Sequence, residues 1–84
     1  MAECILTATA KGIFKSADKN IVADTSFYDD CLVLTTKKGK YFLQQDGVPT
    51  FPSYSTFYSG AVEFGGKTYA VQVEIMKRTA VMTW

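Results

Sequence analysis

Two runs of alternating apolar and polar residues meet at a glycine pair in "AVEFGGKTYAVQVEI", residues 61–75. After the pair, Tyr69, Val71, Val73 and Ile75 share one side, while Gln72 and Glu74 take the other. A period of two puts successive side chains on opposite faces of a strand, so this segment can bury one face and wet the other. Gly65-Gly66 supplies the positive φ angles that a two-residue hairpin turn needs. A segment built this way is a β-hairpin and not a helix.

The rest of the chain follows the same rule. "ECILTATAKG" sets Cys4, Leu6, Ala8 and Ala10 against Ile5, Thr7, Thr9 and Lys11. A turn cluster, "KSADKN", precedes a short strand beginning at Ile21. In "CLVLTTKKGKYFLQQ", apolar runs at 31–34 and 41–43 flank a loop, with Gly39 where a three-residue hairpin loop wants a left-handed residue. "TAVMTW" reads as a final strand, reached through Met76-Lys77-Arg78 by a turn or a bulge. The expected fold is mainly β. It is one domain over residues 1–84, an antiparallel barrel or sandwich of about six to seven short strands. Helix is confined to at most one short helix or aromatic loop near residues 50–59.

That exception is "GVPTFPSYSTFYSG", residues 47–60, which holds both prolines, four aromatics and no charge. Phe51, Tyr54 and Tyr58 recur at helical spacing, Pro52 suits a first helical turn, and Gly60 suits the position after a helix. Two roles follow. The stripe packs across an open end of the sheet, or it forms a recognition surface of the tyrosine- and serine-rich kind. The combined reading lets Phe51 and Phe57 anchor the segment while Tyr54 and Tyr58 face a protein partner.

Several chemistries are excluded by what is missing. The chain has no histidine, which removes the usual general base near neutral pH and the commonest zinc ligand. Cys4 and Cys31 lie among apolar neighbours that raise a thiol pKa, so neither is an activated nucleophile. They read as reduced core thiols, with a single interstrand disulfide as the alternative. Asp29 and Asp30, with Asp24 and Asp46 as possible neighbours, read as turn formers and not as a paired-carboxylate or calcium site. "EFGGKTY" lacks the pattern and following helix of a phosphate loop. No enzyme, metal or cofactor is expected.

Nine basic and eight acidic residues leave a net charge of +1, so no general field draws nucleic acid or an acidic membrane. A local alternative is the hairpin "KKGKYF", where Lys37, Lys38, Lys40 and Tyr41 could hold a single strand by charge and stacking, with Lys11, Lys15 and Lys19 extending a basic edge. "MAECILTATAKG" has an acid at Glu3 and lacks the pattern of a secretory leader. No apolar run approaches the ~20 residues of a bilayer span. A cytoplasmic location without membrane attachment is expected.

By elimination the sequence reads as a non-catalytic protein-binding module. Size and missing chemistry suggest, by analogy only, a small phage or mobile-element inhibitor of a host protein, or an immunity protein. A self-assembling structural subunit is the alternative, with a homodimer formed through "TAVMTW" as an exposed edge strand. A single-stranded nucleic-acid-binding barrel is the third reading.

Overall fold

A computed structural model describes residues 2–26, 30–52 and 54–84. Among them are eight strands and no helix: β1 (Glu3–Ala10), β2 (Ile13–Ser16), β3 (Val22–Ser26), β4 (Cys31–Thr36), β5 (Gly39–Gln45), β6 (Thr56–Phe64), β7 (Lys67–Ile75) and β8 (Thr79–Thr83). Each pairs antiparallel with the next, and β8 returns to β1 to close an up-and-down barrel. The all-β, single-domain expectation holds, with eight strands where about six to seven were anticipated.

The alternation seen in the sequence sorts the barrel's two faces. Leu6, Phe14, Leu32, Leu34, Leu43, Tyr58, Val62, Val71, Val73 and Met82 point inward and are buried. An eight-stranded barrel is just wide enough for side chains to fill it, so this lumen is a packed core and not a channel. Glu3, Thr7, Asp24, Lys40, Gln44 and Gln72 point outward.

Gly65-Gly66 forms the expected two-residue turn, with φ of 55° and 82° between paired Phe64 and Lys67. The β4–β5 turn is tighter than anticipated. Thr36 pairs with Gly39, so Lys37-Lys38 alone make the bend, and the Thr36 Oγ1 accepts from the Lys38 N–H at 3.2 Å.

Two expectations are corrected, and the reading of both cysteines as reduced thiols holds. Residues 56–60 are not a helix or its cap: β6 begins at Thr56, and Gly60 lies within it. "TAVMTW" is not an edge strand. Its residues pair with β1 from Glu3↔Thr83 to Thr7↔Thr79, and with β7 from Gln72↔Thr83 to Ile75↔Ala80. A closed barrel leaves no free edge there, so the basis for a homodimer through this strand is gone. Cys4 and Cys31 are both thiols and form no disulfide. Burial, and then the charge of Asp18, push the Cys4 thiol above its ordinary range.

Because the chain runs up and down, its connections alternate between two ends. One end carries the β2–β3, β4–β5 and β6–β7 turns and is called the turn end. There Phe64 packs on Tyr69 and Trp84, with ring centroids 6.0 and 5.3 Å apart, capping the core. The other end carries Lys11-Gly12, the β3–β4 connection, residues 46–55 and the Met76–Arg78 turn. This is called the loop end.

Candidate protein-binding surface at the loop end

The connection between β5 and β6 spans residues 46–55, far longer than the two-residue turns at Gly65-Gly66 and Lys37-Lys38. Its base is tied down. The Thr50 N–H donates to the Gln45 side-chain carbonyl at 2.8 Å, and the Asp46 N–H donates to the Phe57 carbonyl at 2.9 Å. Asp46 then accepts from the Ser59 hydroxyl at 2.6 Å and from the Gln72 amide at 3.3 Å. At the far side the Ser55 N–H donates to the Ile75 carbonyl at 2.7 Å. Such a loop is held at both feet.

What it carries outward is apolar. Val48 is 83% exposed, Tyr54 69% and Phe51 68%. Phe57, the second residue of β6, faces outward at 36%. Its outward row continues across the barrel wall through Glu74, Val81 and Ile5.

The four aromatics therefore do not divide as the sequence suggested. Tyr54 is exposed as expected. Tyr58 is fully buried, the largest such side chain among the described residues, while Phe51 and Phe57 stand outside. The physical reason is strand parity. Counting back by twos from buried Val62 along β6 gives Gly60, Tyr58 and Thr56 inward, and Phe57 outward. The Tyr58 hydroxyl is buried without a hydrogen-bond partner. Burial, with the charges of Asp30 and Cys31 added, pushes its pKa up to about 12.

A cleft of about 560 Å³ opens beside the loop. Its floor is Phe14 and Ile75, and Pro52 and Tyr54 line it from the loop. Lys11, Gly12, Thr25, Met76 and Lys77 also line it. A second cleft, about 520 Å³, shares Lys11, Phe14 and Lys77 and adds Arg78. The walls are fixed by backbone bonds. The Gly12 carbonyl accepts from the N–H and the hydroxyl of Thr25, at 2.9 and 3.2 Å. The Met76 N–H donates to the Thr79 carbonyl at 2.7 Å, closing the β7–β8 turn.

The alternative lysine site is at the opposite end. Lys37, Lys38 and Lys40 are exposed there, but Tyr41 points inward and packs against the core. Stacking a base on Tyr41 is therefore blocked. Lys19 lies at that same end, in the β2–β3 turn, whereas Lys11 lies at the loop end and Lys15 on the wall, so the proposed basic edge is split.

The acidic residues do not converge. Asp24 faces out from β3, Asp46 is held by Ser59 and Gln72, and Asp30 sits at φ 52°, a turn conformation. Asp29 lies outside the described residues. Among the described residues no group of three or more potential ligands could hold a metal ion, and no helix is long and apolar enough to cross a membrane.

Sequence reasoning missed Val48, Lys77 and Arg78 as members of this surface. The signal was present in the Met76-Lys77-Arg78 turn, which joins two adjacent cations where turn-forming residues are absent. Comparison with protein-family models, with curated proteins and with solved structures found no match.

Proposed function

We propose that this chain is a non-catalytic protein-binding module that works through the loop end of the barrel, as an inhibitor or adaptor does. The supporting observation is the anchored 46–55 loop, which leaves Val48, Phe51 and Tyr54 each more than two-thirds exposed. Aromatic side chains give large contact area for few rotatable bonds, and they supply most of the binding energy at protein interfaces. The expected chemistry is occupation of a partner's surface with no bond made or broken.

The test uses photo-crosslinking residues placed singly at 51, 54 and 38 in otherwise intact protein, expressed in the cells it comes from. Positions 51 and 54 should give a discrete adduct that wild-type protein competes away and the F51S/Y54S double variant does not. Loss of a central aromatic weakens binding by about 2 kcal/mol or more, roughly thirtyfold. Adducts formed equally at 38, or competed equally by the double variant, would remove the loop from the interface.

A further inference from the structure

We infer that the cleft beside the loop is the pocket for an acidic partner segment, one that buries an apolar side chain against Phe14, Ile75 and Met76 and sets carboxylates against Lys77 and Arg78. This rests on the protein-binding reading above and adds the partner's chemistry.

Size is the first support. Pockets that hold a drug-sized group run from about 300 to 1,000 Å³ and are mostly apolar with a few placed polar groups. The cleft, at about 560 Å³, has that volume and that lining. Charge is the second. Lys77 lines both adjoining clefts and Arg78 the second, and among the described residues no aspartate or glutamate lines either. The whole chain carries a net charge of only +1, so two adjacent cations in one exposed turn stand out against it. Arg78 is the sole arginine, and its planar fork suits a carboxylate bidentately.

Charge also argues against a second copy as occupant. Two copies meeting with this turn on their two-fold axis would bring Lys77 and Arg78 against their own equivalents, and like charges across an interface are costly. Nucleic acid would satisfy the cations and stack on Tyr54. It would leave Val48 and Met76 without matching apolar surface, and a protein segment supplies that surface.

The experiment selects random-sequence displayed peptides on the intact protein, in parallel on wild type, K77E/R78E and F51S/Y54S. Lys77 and Arg78 are exposed turn residues, and thermal melts verify that both double variants remain folded. Wild type should enrich peptides in which Asp or Glu flank an aromatic or large aliphatic residue. Those peptides should bind K77E/R78E at least about tenfold more weakly, and more weakly to wild type as salt rises. Enrichment with no acidic excess overturns the inference, as does an acidic excess that persists in K77E/R78E. Oligothymidylate that displaces the peptides and itself depends on Lys77 and Arg78 reassigns the cleft to nucleic acid. If F51S/Y54S loses the peptides while K77E/R78E keeps them, the aromatic loop stands and the acidic pocket falls. The converse removes the loop and retains the pocket.

Discussion

Tyr58 offers the sharpest test of the structure, because two substitutions there should move stability in opposite directions. Its ring is fully buried, and its hydroxyl is buried with no partner. Truncation to alanine removes the ring's contacts and leaves a cavity, which costs about 3–5 kcal/mol at a core aromatic. Removal of the oxygen alone, in Tyr58→Phe, keeps the packing and deletes an unsatisfied polar atom. Such an atom costs about 1–3 kcal/mol to bury, so Y58F should stabilise by about 1–2 kcal/mol. A domain of this size shifts its Tm by roughly 4–8 °C per kcal/mol. Y58F should therefore melt about 5–15 °C above wild type, and Y58A more than about 10 °C below it. Urea unfolding with unchanged m-values would verify that stability alone has moved. The exposed neighbour Tyr54 is the control, since Y54A should stay within about 0.5 kcal/mol of wild type. A Y58F variant that loses 1 kcal/mol or more would mean that the hydroxyl is bonded, and a Y58A variant that melts like wild type would place Tyr58 outside the core.

The same residue predicts a pH effect. A folded pKa raised from 10 to about 12 means the native state holds a proton that the unfolded state has released, so stability should fall as pH rises through that window and Y58F should lose this component. In Gly60→Ala, the added Cβ would stand 2.7 Å from Leu43 Cδ2 and 3.1 Å from the Phe42 carbonyl oxygen. Overpacking there should cost about 1–3 kcal/mol in a thermal melt, and an unchanged Tm would rule out the close approach of β5 to β6. Gly66→Val forces a β-branched residue to φ near 82° and should cost about 1–2 kcal/mol, whereas the exposed outward Thr68→Val should be near neutral in the same assay.

Much of the fold was legible because local pattern and global architecture agree. The inward faces of β1 and β7 were read directly from alternation, and two hairpins from their glycines. What escaped was β2, four residues long and carrying Lys15, whose single in-out alternation offers too few positions to stand out. The start of β6 escaped for a different reason. Phe51, Tyr54 and Tyr58 share a helical spacing by coincidence, since the first two belong to a loop and the third to a strand. Alternation from Val62 back to Thr56 was equally available and gives the observed faces.

Missing one strand had a larger consequence than one misplaced element. In an up-and-down barrel, every strand moves the next connection to the opposite end. With β2 absent, Lys11-Gly12 merges with the Ala17–Asn20 turn, and the first connection is assigned to the wrong neighbours. Restoring β2 puts Lys11, residues 46–55 and Lys77-Arg78 at one end and Lys19, Lys37 and Lys38 at the other. The candidate surface was thus encoded by strand count more than by any motif.

The two ends of the barrel also differ in how they treat apolar surface, and that difference favours the loop end as the working face. At the turn end, tight turns and the stacked Phe64, Tyr69 and Trp84 withdraw aromatic surface from water. At the loop end, a longer connection orders more backbone, at about 1–2 kcal/mol per residue, and then leaves its largest apolar groups in solvent. A loop held at both feet by Gln45, Asp46 and Ile75 is, however, already arranged for contact, so little further ordering remains when a partner arrives. Exposed apolar groups on a loop already held in place are the physical case for proposing this end as the binding face.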